Sequence, residues 1–198
     1  AARAFVVLGS KLKQELFGTA NPLGARVRIA GQHFRVIGVM ESKGQFVGMD
    51  LDDTAYIPAS QALALYTRAA HLGHAKSMNL LARHLEDGLE TARDPQAALA
   101  WYRRAADTGL DWGLYNLANL MATGRGVERD LAAAFSLYLQ AAELGHAKSM
   151  NLVGRCYEDG LGVASDPAAA HTWYRRSAQA GDFRGQFSLA GVLIAQGL

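Results

Sequence analysis

The sequence predicts a small α+β domain over residues 1–59 fused to an all-α solenoid of helix-turn-helix repeats over residues 60–198. Three observations carry this reading. Near residue 60 the composition changes, from β-branched and aromatic residues alternating with polar ones to a chain dominated by alanine and leucine; the first suits pleated strands, the second helices. An Ala-Ala-x-x-Gly tag recurs at Ala69 to Gly73, Ala105 to Gly109 and Ala141 to Gly145, with Ser177-Ala178-x-x-Gly181 as a fourth copy, so its glycines step by 36 residues. Repetition at such a period marks a stacked-repeat architecture. Between Arg26 and Met40, apolar and polar residues alternate with period two around Gly31, the pattern of a hairpin with one buried face.

In the first part, Phe5 to Leu8 reads as a short strand ending at Gly9, and Ser10 as the cap of a helix from Lys11 to Phe17. Asn21-Pro22 marks a turn. Arg26 to Ile29 and His33 to Met40 are the hairpin strands. A glycine-rich, acidic loop from Ser42 to Asp53 precedes a last strand, Ala55 to Ile57.

Each period of the second part predicts a helical hairpin. The first helix carries Leu81, Leu117, Val153 and Leu189 in register, followed by the small residues Ala82, Ala118, Gly154 and Ala190, which let two helices approach closely. Gly88, Gly124 and Gly160 suit the left-handed residue just past a helix end. Asp94-Pro95 and Asp166-Pro167 place a capping carboxylate before a proline at the first helical position, and Asp130 keeps the cap without proline. The second helix then buries Trp101-Tyr102, Leu137-Tyr138 and Trp173-Tyr174. The last unit departs by an extra residue before Gly197 and lacks a second helix.

Charge names no partner. A formal charge of +2, with 19% charged residues and no basic run longer than two, does not point to nucleic acid. The single cysteine, Cys156, cannot form an internal disulfide. No apolar stretch approaches the roughly 18 to 20 residues that cross a bilayer, and the opening AARAFVVLGSK is too short in its apolar core for a secretory signal, so no membrane span is expected.

Candidate chemistry is thin. His71 and His74 fall short of the three or four ligands zinc needs and read as surface histidines. Glu86-Asp87 and Glu158-Asp159 sit at equivalent turns, where adjacent side chains point apart, so capping or solvation explains them better than paired catalytic carboxylates. Cys156 occupies the register slot of His84 and Leu120, and packing accounts for it better than pairing with His171. Gly124-Arg125-Gly126 and Gly160-Leu161-Gly162 follow helices, the wrong context for phosphate loops. Arg103-Arg104 and Arg175-Arg176 read as solvated or paired at helix ends. Asp50, Asp52 and Asp53 lack the rest of a calcium loop. No cofactor, metal or catalytic residue is expected.

The repeat pattern of leucine, small residue, glycine turn, Asp-Pro and Trp-Tyr-Arg-Arg-Ala-Ala-x-x-Gly resembles the Sel-one-like repeat family, relatives of the tetratricopeptide repeats, over about residues 60–198. The resemblance implies a right-handed helical solenoid acting as a non-catalytic adaptor for protein complexes. If the first helices line its concave side, Lys76, Asn79, Arg83 and Glu86 form one polar stripe, continued by Trp112, Tyr115 and Asn119, then by Lys148, Asn151, Arg155 and Glu158. Two readings stand. In one, the amides bond an extended peptide backbone, the cations attract carboxylates and the aromatics anchor a side chain, so an acidic protein segment would suit the groove. In the other, the stripe is the solvated face of amphipathic helices, and the near identity of His74 to Leu80 with residues 146–152 records duplication.

Residues 5–66 resemble the later half of the periplasmic core domain of MacB-type ABC exporters and lipoprotein-release permeases, through Val7-Leu8-Gly9-Ser10-Lys11, Glu15-Leu16-Phe17-Gly18, Asn21-Pro22-Leu23-Gly24, Val36-Ile37-Gly38-Val39, Asp52-Asp53 and Tyr56-Ile57-Pro58. The sequence carries no G-x-x-x-x-G-K-[ST] loop to cradle a phosphate, so transport does not carry over. The resemblance implies a periplasmic or envelope location, with the cytoplasm as the alternative, and an alternative role as a soluble portion of an export or lipoprotein-release system. Pro58 to Tyr66 closes this pattern while aligning with Arg93 to Trp101 of the repeats, so one helix is expected to serve both parts as a rigid junction without a linker. The join fits a natural fusion, an engineered one or a recombined fragment.

Overall fold

Alternating apolar residues build the first unit around one half-covered sheet. The computed structural model describes residues 4–29, 32–41, 45–46, 49–50, 55–56, 59–88 and 91–195. The chain divides into two units, Ala1–Leu65 and Tyr66–Leu198. In the first, β1 (Phe5–Leu8), α1 (Ser10–Phe17), β2 (Arg26–Ile29), β3 (Gln32–Val39) and β6 (Ala55–Tyr56) are joined by a separate short pair, β4 (Gln45–Phe46) and β5 (Met49–Asp50). The main sheet runs β2-β3-β1-β6. The expected hairpin is the antiparallel β2–β3 pair, with Arg26 opposite Arg35 and Ile29 opposite Gln32. Sequence periodicity did not disclose that β1 lies parallel to β3 and antiparallel to β6. Val6, Leu8, Phe34 and Val36 form the buried core, against which Leu12 and Phe17 of α1, Val27, Ile29 and Leu65 pack.

Two expectations change here. Ser10 is the first residue of α1 and not its cap; the extended Gly9 holds that position without a side-chain bond. The expected loop from Ser42 to Asp53 contains the β4–β5 pair, while Asp52, Asp53 and Ile57 lie outside the described residues.

Helix α2 (Ala59–His71) begins in the first unit and ends in the second. After it come α3 (Ala75–Asp87), α4 (Pro95–Asp107), α5 (Asp111–Thr123), α6 (Leu131–Glu143), α7 (Ala147–Asp159), α8 (Pro167–Gln179) and α9 (Phe183–Ala195). From α3 onward each helix packs on the next in chain order, and α3 also meets α5, as α7 meets α9. No comparable pairing joins α4, α6 and α8 to one another among the described residues.

The punctuation of the sequence sets these boundaries. Asp94, Asp130 and Asp166 accept hydrogen bonds from Ala97, Ala133 and Ala169 at 2.9, 2.9 and 3.0 Å, each holding a free N–H of the first turn. Gly88, Gly124 and Gly160 are left-handed and return their N–H groups to the carbonyls of His84, Leu120 and Cys156. Gly126, also left-handed, passes so near Pro95 that an added Cβ would lie 2.8 Å from its carbonyl oxygen. Both alanines of the second and third Ala-Ala tags are buried, and a Cβ on Gly113 would stand 2.8 Å from the carbonyl carbon of Ala105, which explains the glycine in the first turn of α5 at its contact with α4.

Candidate protein-binding wall

The helices α3, α5, α7 and α9 share one side of the stack, and the stripe read from the sequence lies on the first three of them. Lys76, Arg83 and Arg155 are exposed, and Trp112 is 42% exposed. Half-buried Lys148 places its Nζ 5.0 Å from the centre of the Trp112 ring, a cation–π contact between neighbouring first helices. Tyr115 is half-buried, edge-on to Trp112 at 5.8 Å and 4.8 Å from the His146 ring.

The asparagines do something other than line an exposed stripe. Asn79 and Asn151 are 8% and 4% exposed. Asn116 Nδ2 donates to Asn79 Oδ1 at 2.8 Å, and Ser188 Oγ donates to Asn151 Oδ1 at 3.1 Å, so each amide ties one first helix to the next. Asn119 is half-buried and accepts from the Tyr138 hydroxyl at 2.7 Å. Helical spacing gave the direction of these side chains but not the neighbour standing there. Asn116 and Ser188 lie one residue beyond the repeat register of Asn79 and Asn151, the one local signal of the pairing.

Lys76, Asn79, Arg83 and Trp112 nevertheless come together around an open cavity of about 480 Å³, completed by Leu80, Leu110 and Asp111. Leu110 and Asp111 were missed by sequence reasoning because they stand at the helix start, outside the spacing that defined the stripe. The cavity offers two exposed cations, one carboxylate, an indole and two aliphatic side chains.

Glu86 and Glu158, placed at the ends of the stripe, face the tyrosines instead. Tyr102 donates to Glu86 Oε2 at 2.9 Å, and Tyr174 donates to Glu158 Oε2. Burial is the main reason both phenols are pushed far above the ordinary tyrosine range, with the adjacent carboxylates adding to it. Glu86 also pairs with Arg125 of the following turn at 2.8 Å.

The remaining candidates find structural places. His71 Nδ1 bonds the Thr67 carbonyl at 2.7 Å and its ring meets Trp101 edge-on, while His74 bonds Ser77. Arg104 and Arg176 stack over Trp101 and Trp173 at 4.3 and 4.1 Å. Cys156 is buried in the core with Val153 and Tyr138, and burial pushes its thiol up to about 11. His146, which sequence reasoning passed over, is 5% exposed beneath Trp112 and Tyr115. Its Nδ1 bonds Ser149 at the start of α7, and its Nε2 is buried without a partner. Burial lowers its basicity; nearby Asp111 opposes that shift and Lys148 reinforces it.

Comparison with known proteins accords with the two units. Residues 1–97 match the MacB-like periplasmic core domain, further than the resemblance read to residue 66, and residues 113–146 and 147–182 match the Sel1 repeat. The pyoverdine export ATP-binding/permease protein PvdT of Pseudomonas aeruginosa is 43% identical over 63 residues, which are 31% of this chain and 10% of that protein. The chain thus spans about a tenth of the length of such relatives. A Sel1 repeat protein from Oxalobacter formigenes superposes with a TM-score of 0.61 and 31% identity, over 66% of this chain and 98% of that one. A protective antigen of uropathogenic Escherichia coli displaying an SLR fold gives 0.64 and 36%, over 67% and 28%. This is a scaffold-type fold, generally non-enzymatic and suited to protein–protein interaction, and no helix among the described residues is long and apolar enough to cross a membrane. Through its stacked hairpins the chain belongs to the Sel1-repeat family, preceded by a segment similar to part of the MacB-like periplasmic core domain.

Proposed function

We propose that the helical unit is a non-catalytic adaptor that holds a protein segment along α3, α5 and α7. The observation that carries this is the open cavity beside Trp112, where a half-exposed indole stands between aliphatic side chains and the cations Lys76 and Arg83. Lys148 and Arg155 extend the positive side of the wall, which favours a partner bearing carboxylates near an apolar anchor. Asn79, Asn119 and Asn151 support the wall through the bonds described above, and Tyr115 braces Trp112 from below. Contact of α3 with α5 and of α7 with α9, without the same contact among the second helices in the described residues, supports placing this wall on the inner side of the stack.

Affinity capture from a cell-envelope extract, with the full chain as bait, tests this reading. Trp112→Ala and the pair Lys76→Glu, Arg83→Glu are expected to lose a protein that the unaltered chain retains. A truncated anchor of this kind typically costs about 2 kcal/mol of binding. Retention of every captured protein by both variants would sink the assignment.

A second reading is favoured by the match over residues 1–97: the chain serves an export or lipoprotein-release system in the envelope, with the first unit making the contact. Removal of residues 1–58 separates the two. The adaptor reading expects capture to survive the deletion, and the export reading expects it to vanish.

A further inference from the structure

The outer face of the β2–β3 hairpin has no role in the core of its unit. Side chains alternate across a strand, so Val27, Ile29, Phe34 and Val36 turn to the core while Arg26, Arg28, His33 and Arg35 turn outward. Register sets Arg26 directly opposite Arg35 and Arg28 opposite His33, and all four are exposed. Like charges facing one another across a ladder weaken it. Among the described residues no carboxylate lies within ion-pair distance of the three arginines. Beside them is an open hollow of about 690 Å³ lined by Ala4, Arg26, His33, Phe34 and Arg35. Among the described residues β2 ends the sheet, leaving its far N–H and C=O groups without a partner strand.

We propose that this hairpin takes an extended acidic segment of a partner protein, which adds as a strand beside β2 and sets alternate carboxylates against Arg26 and Arg28. Two features favour a polypeptide over other anions. Arg26 and Arg28 are separated by two strand residues, about 6.6 Å, which is also the separation of same-face side chains on an added strand. The free edge supplies backbone hydrogen bonds in the alternating pattern that only another strand completes. Arg35, in the next row, keeps the potential positive behind the first contacts. The surface belongs to the first unit and does not depend on the helical wall.

The test uses the full chain and a short fluorescein-labelled peptide of alternating glutamate and valine, followed by fluorescence anisotropy. The glutamate peptide is expected to bind, its glutamine-valine counterpart to fail, and added salt to weaken the complex. Arg26→Gln and Arg28→Gln should each weaken it about tenfold, as expected for loss of one charge-assisted hydrogen bond. Hydrogen exchange of the β2 amides should slow when the peptide is added. The comparison of the two peptides needs no altered protein, so a poorly folding variant would not decide the matter. Equal binding of the glutamine peptide would overturn the proposal. So would unchanged β2 exchange, loss of binding on Lys76→Glu but not on Arg26→Gln, or a preference of these arginines for phosphatidylglycerol vesicles over the peptide.

Discussion

At the scale of single residues, three tyrosines at one register position show how the repeats solve the same problem in two ways. Tyr102, Tyr138 and Tyr174 are all buried, and each buried hydroxyl needs an acceptor. Glu86 and Glu158 supply it in two units; the middle unit has Ala122 at that position and uses Asn119, about one helical turn earlier. Burial of these tyrosines was legible from the 36-residue register, but the acceptors were not, because the position changes between units. Tyr174→Phe should lower the unfolding free energy by about 1.5–3 kcal/mol, the scale of a bond to a charged group, measured by urea denaturation. His146 adds a pH dependence. Its folded basicity is lowered, so as pH falls below about 6.5 the unfolded chain takes up a proton that the folded chain resists, and stability falls. His146→Asn, which retains a capping side chain, should flatten the urea midpoint between pH 7 and 5 while the unaltered chain loses stability over that range. The Cys156 thiol shifts the other way: raised to about 11, it contributes stability below about pH 9 that is lost as pH rises through 11.

Elements were read from the sequence where local chemistry stops a helix. Each aspartate cap and left-handed glycine sits where its spacing placed it, since a cap or a positive φ is a property of a few consecutive residues. Asp94→Ala should cost about 1 kcal/mol, seen as a lower thermal midpoint, whereas Asp94→Asn should cost little. Packing between elements also has local marks, as at Gly154, where an added Cβ would stand 2.6 Å from the Tyr174 ring. Gly154→Ala is expected to destabilise by about 1–3 kcal/mol by displacing that ring, again read from urea denaturation. The β-sheet was less legible. The hairpin of β2 and β3 is a short-range pairing and followed from alternation, but β1 pairs in parallel with β3 across more than twenty intervening residues, and alternation does not choose a distant partner.

At the scale of the whole molecule, the helical unit is a line of nearest-neighbour contacts, each helix resting on the next. Stability in such a stack is a sum of unit and interface terms, so it is lowest where a helix has a neighbour on one side alone. Native-state hydrogen exchange should therefore be slowest in α5 to α8 and faster in α9, whose Phe183, Phe187 and Ile194 are exposed. Uniform protection along the stack would contradict this. The sequence by itself determined the stacked hairpins, their period, their caps and glycine turns and the buried face of each helix, because these depend on residues within a few turns of one another. It also brought Lys76, Arg83 and Trp112 to one stripe. Only the tertiary structure decided that Asn79 and Asn151 are enclosed, that Leu110 and Asp111 complete the cavity, and that Arg26 of the strand ending the sheet among the described residues faces Arg35 of the next. Those outcomes depend on which side chain arrives from a separate helix or strand, and periodicity within one element carries no information about its neighbour.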